Sequence, residues 1–296
     1  MSTQALRPAY AHTARGALHY AELGIGPPLL LMHATPGSWR AMAALAPLLA
    51  THFRVIALDT PGYGQSDPVP GKASIEGLAE SVVALLDALN LPQAHLLGLH
   101  TGNKIAAALA ADWPERVGRL VLAGHTHSLL VDKAERDAAI RHLIGHYFPQ
   151  FPASADGSHA LRLWLMADAD VRKLWWPQAL LGGREGQAAQ ALADEVAMAE
   201  AMVIDHLLGW RSIVPTYEAI FEFDMAAALR RIRVPTQVLE LRPDDEVGMA
   251  PQAPLICALI PGAQQVTLER HDASVFRTQA GLVAQAVLPF LLAQAA

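Results

Sequence analysis

The feature that most constrains the fold of this chain is a five-residue stretch, 98–102, which reads GLHTG. The segment before it, 94–98, is short and apolar, as expected for a buried strand, and the segment after it, 103–110, is rich in alanine, which favours a helix. Glycines on both sides of a central residue are typical of a sharp turn in which neighbouring backbones approach closely. The sequence therefore predicts that His100 lies in a strained strand-to-helix turn.

Apolar segments that end in polar or glycine-rich turns recur along the chain. They are predicted strands and cover 28–33, 53–59, 119–124, 235–241 and 264–269. Predicted helices lie near 38–50, 73–90 and 102–112, with a last one over 282–292. Strands that alternate with helices in this way predict an α/β fold, with a mostly parallel central sheet flanked by helices on both faces.

Three motifs together resemble those of the α/β-hydrolase fold superfamily, in its capped, MhpC-like and epoxide-hydrolase-like branch. Residues 33–37 are similar to its H-G-x-P turn, with Ala34 in place of glycine. Residues 59–67 match its D-x-x-G-x-G-x-S-D loop. Residues 98–102 match its G-x-S-x-G nucleophile elbow, with His100 in place of serine.

The resemblance implies two domains. The core domain is expected to comprise residues 1–128 and 229–296, and a helical cap is expected over 129–228, inserted after the sixth strand. Apolar positions at a spacing of three to four residues support helices in this insertion. Its aromatic residues indicate a lid over an apolar or aromatic substrate, and those predicted to bind it are Trp164, Trp175 and Trp210.

The resemblance also implies an acid and a base in the chain order of the superfamily's triad. His271 follows a strand near the C-terminus and occupies the position of the general base. Asp244 follows strand 235–241 and occupies the position of the acid that orients the base, with Asp245 and Glu246 adjacent to it. The predicted catalytic residues are therefore His100, Asp244 and His271.

Backbone N–H groups of Thr35 and Thr101 are expected, by the same resemblance, to form an oxyanion hole. Backbone donors do not depend on the side chain, so Ala34 does not preclude such a hole. His125 follows the strand next to the elbow and is expected to orient substrate by hydrogen bonding. His33 is expected to be structural and to bond nearby loop backbone.

His100 itself admits three interpretations. An imidazole with a pKa near 6.5 can act as a nucleophile or a base at neutral pH, here in a dyad with His271. Alternatively, the nucleophile is absent and His271 with Asp244 performs acid–base chemistry, as in cofactor-free oxygenases, hydroxynitrile lyases and some decarboxylases of the superfamily. The third interpretation is a non-catalytic small-molecule binding protein. Ordinary serine-esterase chemistry is the mechanism that the sequence argues against.

Composition limits the remaining function classes. A net charge of −6 gives no reason to expect nucleic acid or an anionic membrane as a partner, and no apolar run reaches the ~20 residues of a spanning helix. A single cysteine, Cys257, rules out an internal disulfide, and the N-terminus lacks a secretory pattern, so a cytoplasmic protein is expected.

No cofactor or metal is predicted. Zinc bound by His100, His271 and either His125 or His127 is an arrangement that the sequence supports only weakly. The overall prediction is a hydrolase that cleaves an ester, a lactone or a carbon–carbon bond of a small, largely apolar organic molecule. The alternatives are a lyase, decarboxylase or cofactor-free oxygenase, or a binding protein, and a homodimer is left open.

Overall fold

A computed structural model of the protein describes residues 5–124, 133–147, 155–158, 160–161, 187–243, 251–271 and 275–293. The strands among these residues are β1 Arg7–Thr13, β2 Gly16–Leu23, β3 Pro28–Met32, β4 Arg54–Leu58, β5 Ala94–Leu99, β6 Val117–Ala123, β7 Thr236–Pro243 and β8 Gln264–His271. The α-helices are α1 Ala46–Leu49, α2 Ile75–Ala88, α3 Thr101–Asp112, α4 Lys133–Tyr147, α5 Gln187–Glu222, α6 Met225–Arg231, α7 Ala253–Leu259, α8 Val275–Thr278 and α9 Ala280–Leu292.

The strands form one eight-stranded sheet in the order β1-β2-β4-β3-β5-β6-β7-β8. The β1–β2 and β2–β4 pairs are antiparallel, and every pair from β4 to β8 is parallel. The carboxyl ends of the parallel strands therefore meet at one edge of the sheet, where ligands of open α/β folds bind. This architecture confirms the predicted fold class.

Helices cover both faces of the sheet and close two apolar cores. On one face, α2, α3, α6 and α7 bury leucine, isoleucine and alanine side chains against the strands. On the other face, α1 and α9 pack Leu49, Val287 and Phe290 against alternate strand residues. Both faces of the central strands are buried, which explains why β3 reads as a continuous apolar run rather than as an alternation.

Two local differences separate the structure from the sequence-based expectations. The helix expected near 38–50 is divided into a 3₁₀ turn, Trp39–Met42, and the one-turn α1, because Pro47 at the start of α1 cannot continue a preceding helix. Neither β1 nor β2 was predicted as a strand, and the Tyr10-Ala11-His12 stretch of β1 carries only a weak apolar alternation. Strand β1 forms a hairpin with β2 in which Thr13 pairs with Gly16.

Helices α4 and α5 lie in the segment that separates β6 from β7, where a cap was predicted, although the bounds 129–228 stay a prediction. The C-terminal half of α5 is attached to the core and to α4. Tyr63 Oη donates to Ser212 O at 3.1 Å, Lys72 pairs with Glu222 at 2.6 Å, and Arg141 of α4 pairs with Glu218 at 2.9 Å. Within the described part of the chain, no helix is long and apolar enough to cross a membrane.

Candidate active site

His100 occupies the single residue between the end of β5 and the start of α3. Its backbone dihedrals are φ 50° and ψ −103°, a region that residues with a side chain rarely adopt. Such a conformation costs on the order of 1–3 kcal/mol and persists where surrounding structure enforces it, commonly at functional sites. The strained strand–turn–helix geometry predicted for residues 98–102 is confirmed.

The two glycines of this turn are required by packing. A Cβ atom built on Gly98 would collide with the backbone of Gly102, and one built on Gly102 would collide with the carbonyl group of Met32 at the end of β3. The start of α3 therefore lies directly against the ends of β5 and β3. Any larger residue at either position would displace the turn that carries His100.

The imidazole of His100 lies over the end of the neighbouring strand, β6. A Cβ built on Gly124 would lie 2.6 Å from Cε1 and 2.9 Å from Nδ1 of His100, so the ring fills space that only glycine leaves open. His100 N donates to Ala123 O at 2.9 Å, and the buried Asn103 side chain donates to Gly124 O at 2.6 Å. These bonds fix the elbow against β6. The roles of Gly124 and Asn103 were not predicted.

A buried lysine lies one helical turn beyond His100. Lys104 is only 4% exposed, and its Nζ donates to His100 O at 3.2 Å. Burial lowers the pKa of this amine from 10.5 to about 8, because the charged form loses its hydration. No carboxylate among the described residues pairs with it, so a cation is placed behind the elbow without a counter-ion.

The side chain of His100 lines a pocket of about 190 Å³ between the sheet edge and the cap helix α5. Most of the lining is apolar, as is usual for sites that bind small organic molecules. The apolar residues are Ala34, Pro36, Gly37, Ala41, Leu99, Met202, Leu241, Val275 and Phe276. Among the residues that the structure describes, the other polar ones of the lining are Asp205, His206 and Arg277, none of which was predicted.

One face of α5 supplies the wall opposite the elbow. Met202, Asp205 and His206 follow the i, i+3, i+4 spacing that places side chains on the same side of a helix. His206 Nδ1 lies 2.7 Å from Met202 O, one turn earlier. This spacing is the one signal in the sequence that could have identified these residues, but it is shared by every amphipathic helix.

Asp205 is a buried carboxylate held between two arginines. Its side chain is 2% exposed, and its oxygens lie 3.7 Å from Arg277 Nη2 and 3.8 Å from Arg40 Nη1. Both distances are too long for hydrogen bonds, and neither oxygen accepts one from any described residue. Burial lowers the pKa of the Arg277 guanidinium, and the nearby Asp205 opposes that effect.

The backbone N–H groups of Thr35 and Thr101 lie on adjacent loops. In the parallel β3–β5 pair, Met32 is opposite Gly98, and each threonine follows three residues later. Neither N–H donates to an acceptor in the described part of the chain. Tyr217, on the cap helix, donates its hydroxyl proton to Thr35 O at 3.3 Å and so ties this loop to the cap. An oxyanion hole at these two amides remains a prediction.

His33 is held in one tautomer by the loop that follows β4. Thr60 N donates to His33 Nε2 at 3.0 Å, so Nδ1 carries the proton and donates to Ala34 O at 2.7 Å. Burial lowers the pKa of His33, which keeps the ring neutral and both hydrogen bonds intact. The expectation that this residue bonds nearby loop backbone agrees with these contacts.

The predicted acid and base fall at the ends of two adjacent strands. Pro243, the last residue of β7, pairs with His271, the last residue of β8, so Asp244 directly follows the partner of His271. Asp244 lies outside the described residues, and the structure describes the backbone of His271 but not its side chain. Their catalytic roles stay predictions, based on the position of the Pro243–His271 pair at the edge that also carries His100.

The predicted substrate-binding residues are only partly covered by the structure. His125, Trp164 and Trp175 lie outside the described residues. Trp210 lines a different groove, of about 420 Å³, with Gly62, Ser66, Pro68, Leu207, Leu208, Arg211 and Ser212. It is not among the described residues that line the pocket at His100, and it lies one helical turn along α5 beyond His206. Among the described residues, no cluster of three or more histidine, cysteine or acidic side chains is arranged to hold a metal ion.

Comparisons with known proteins agree with this geometry. A sequence profile of the alpha/beta hydrolase fold family matches residues 27–164. A hydrolase structure from Pseudomonas aeruginosa PA01 is 30% identical, with coverage of 97% of this chain and 98% of that one and a TM-score of 0.66. The chain belongs to the α/β-hydrolase fold family.

Two further proteins illustrate the range of the similarity. A 2-hydroxy-6-oxononadienedioate/2-hydroxy-6-oxononatrienedioate hydrolase of Pseudomonas putida is 42% identical over 113 residues, which cover 36% of this chain and 40% of that protein. The match thus spans about two fifths of the length of this curated relative. The enol-lactonase of Burkholderia xenovorans LB400 is 24% identical, with coverage of 96% of this chain and 100% of that one and a TM-score of 0.68, and shows a shared fold.

Proposed function

We propose that this protein is a hydrolase of small organic molecules in which His100 takes part in the reaction. The observation that carries the proposal is the position of its imidazole, at a strained elbow and in the lining of an otherwise mostly apolar pocket. Strain of this kind is maintained where it orients a reacting group. The proposed site comprises His100, Asp244 and His271, with the backbone N–H groups of Thr35 and Thr101.

The proposed chemistry is cleavage of an ester, a lactone or a carbon–carbon bond by water. A neutral imidazole at position 100 has a lone pair with which to deprotonate water or to attack a carbonyl carbon. Negative charge that develops on the carbonyl oxygen would be stabilised by the two threonine N–H groups. In the first route, imidazole passes the proton that it takes from water to the leaving group. In the second, the leaving group departs with a proton supplied by His271, and water then hydrolyses the acyl-imidazole and returns the proton to His271. Either route consumes one water and needs no cofactor.

The apolar lining and the named activities of the similar proteins support this class of substrate. The relatives at 42% and 30% identity are named as hydrolases, and the pocket presents nine apolar residues beside a few polar ones. We place the enzyme in the cytoplasm, with a small molecule rather than nucleic acid or membrane as its partner. We assign Asp244 and His271 as the acid and the base because Asp244 directly follows β7 in the sequence and His271 is the last residue of β8.

The test is turnover of a panel of esters, lactones and carbon–carbon cleavage substrates by three single variants. His100→Ala should lower kcat by at least ~10²-fold, the scale expected for a positioned acid–base group, and His271→Ala should do the same. His52→Ala is the matched control, because His52 is exposed on the surface, and its kcat should equal that of the unmodified protein. His100→Ser should gain labelling by a fluorophosphonate probe, which the unmodified protein should not show.

Two results would contradict the proposal. If His100→Ala retains full turnover while His271→Ala loses it, the protein is instead a lyase, decarboxylase or cofactor-free oxygenase with His271 as general base. If neither substitution changes any turnover, and ligands bind without reaction, the protein is a small-molecule binding protein.

A further inference from the structure

The Arg277 guanidinium is a pocket group that the proposed reaction does not use. It is largely buried and lines the same pocket as His100. A guanidinium presents five N–H donors, yet in the described part of the chain no acceptor lies within hydrogen-bond distance of this one. Its ion-pair partner, Asp205, stands 3.7 Å away. A buried cation with unused donors in a pocket is a binding group for an anion.

Asp205 sets the charge of this corner of the pocket. The carboxylate faces Arg277 on one side and Arg40 on the other, so the cluster of one aspartate and two arginines has one positive charge in excess. A ligand with a single negative charge neutralises this excess. A dianion would bring its second charge close to Asp205, whose oxygens already lack hydrogen-bond donors among the described residues.

We propose that Arg277, oriented by Asp205, binds the carboxylate of a small organic monoanion whose remaining part lies in the apolar pocket beside His100. This inference rests on the proposed function, since it names the substrate class of the same site. Guanidinium geometry matches a carboxylate with two parallel N–H···O bonds, which favours a carboxylate over a spherical ion. Arg277 and His100 line the same pocket, so a substrate held by its carboxylate at Arg277 can present its reacting bond to His100.

The surrounding residues suit a substrate with a carboxylate at one end and an apolar part at the other. Val275 and Phe276, which precede Arg277, line the pocket with Leu99 and Leu241 and offer an apolar surface for the rest of the molecule. In such surroundings a charge-assisted hydrogen bond is worth more than in water, because few waters compete for the same donors. Arg277 thus adds selectivity for a carboxylate that the apolar lining alone does not supply.

The experiment measures binding rather than turnover, by isothermal titration calorimetry of the intact protein. Benzoate should bind at least about tenfold more tightly than the isosteric, neutral benzamide, as expected for hydrogen bonds to a charged group. In Arg277→Gln this preference should fall to about threefold or less. Arg231→Gln is the matched control, because Arg231 is exposed and pairs with Asp112 outside the pocket, and it should keep the full preference.

Two further arms test the role of Asp205 and the selectivity for carboxylates. Phthalate, a dianion, should bind no better than benzoate to the unmodified protein, and should gain affinity relative to benzoate in Asp205→Asn. Sulfate should bind more weakly than benzoate. Should Arg277→Gln fail to fold, the double variant Asp205→Asn/Arg277→Gln removes both charges and should fold without a preference for benzoate.

Equal affinity for benzoate and benzamide in the unmodified protein, equal affinity for sulfate, or an intact preference in Arg277→Gln would each overturn the carboxylate site. If phthalate gains nothing in Asp205→Asn, the role assigned to Asp205 is wrong. Binding of benzoate without turnover of any panel substrate would contradict only the proposed hydrolase. Turnover without a preference for benzoate would contradict only the carboxylate site.

Discussion

Two buried aspartates of this protein are embedded in opposite ways. Asp59, at the end of β4, is fully buried and accepts hydrogen bonds from Trp39 N at 2.7 Å, Gln65 N at 3.0 Å and the ring of His19 at 2.8 Å. Asp205, on the cap helix, is equally buried but accepts none from any described residue. Buried carboxylates are normally hydrogen-bonded, because an unpaired charge in the interior is costly.

The difference separates a structural carboxylate from one at a binding site. The hydrogen bonds to Asp59 hold the start of the 3₁₀ turn at Trp39 and the loop 59–67 in place, and all of them come from within the core domain. The Asp205 carboxylate instead lies between two arginines in the wall of a pocket, at distances that leave the N–H donors of Arg277 available to a ligand. We expect the first to determine stability and the second to determine binding.

The largest expected effect is the loss of stability on removal of the Asp59 charge. Asp59→Asn places an amide N–H₂ against groups that donate to the carboxylate and should lower the free energy of unfolding by about 3 kcal/mol. Asp205→Asn loses no hydrogen bond among the described residues. It also removes a buried charge whose desolvation cost offsets its attraction to Arg40 and Arg277, so it should change the free energy of unfolding by about 1 kcal/mol or less. Urea unfolding of the two isosteric variants measures both values, and equal losses would remove the distinction between the two aspartates.

A second prediction extends the comparison to a buried cation. Lys104→Met should stabilise the protein by about 2–3 kcal/mol at pH 7, because the folded state no longer buries a charge whose pKa is lowered to about 8. Between pH 8 and 10.5 the folded protein releases this proton while the unfolded chain keeps it. The unmodified protein therefore gains stability as pH rises through that window, and its deficit against Lys104→Met should close.

Urea unfolding at pH 7, 9 and 10.5 tests this pH dependence. Lys72→Met provides the control, since Lys72 is 74% exposed and pairs with Glu222 at the surface. Its difference from the unmodified protein should vary little over the same range. A stability difference for Lys104→Met that is constant with pH would show that the pKa of Lys104 is not lowered in the folded protein relative to the unfolded chain.

The smallest predicted effect concerns the strain at the elbow. Because φ at position 100 is 50°, the free energy of unfolding of His100→Gly should exceed that of His100→Ala by about 1 kcal/mol. Only glycine adopts this backbone conformation without steric cost. Both variants lack the imidazole, so thermal or urea unfolding isolates the backbone contribution. At Ala111, within α3, the order should reverse: Ala111→Gly should be less stable than the unmodified protein by a similar amount. The same order at both positions would argue against strain at His100.

The parts of the site that depend on local sequence were predictable, and those that depend on packing were not. The strand–turn–helix at His100 follows from two glycines and the change from apolar strand to alanine-rich helix, all within about 17 residues. Asp205 and Arg277 come from segments more than a hundred residues beyond the elbow. Their presence in the same pocket depends on how α5 and α8 pack against the sheet edge.

Trp210, one of the three cap tryptophans expected to bind substrate, was a misleading guide to that pocket. Trp210 was expected to bind substrate on the basis of residue type, whereas the wall at His100 is formed by Met202, Asp205 and His206 of the same helix. Residue type identifies side chains suited to an apolar pocket, but the position of a residue along a packed helix also decides whether it reaches that pocket. Lys104 was likewise not singled out, because nothing in a helical sequence distinguishes a buried lysine from a solvated one.

The missing side chain at position 124 also restricts the order in which substitutions can accumulate. A Cβ there would lie 2.6 Å from the His100 ring, so even asparagine or aspartate, which tolerate the left-handed φ of 68°, would displace the imidazole. A smaller residue at position 100 removes that conflict. Position 124 can therefore acquire a side chain only after the histidine has been lost, and once it has, the histidine cannot return by a single substitution. The elbow histidine is easier to lose than to regain.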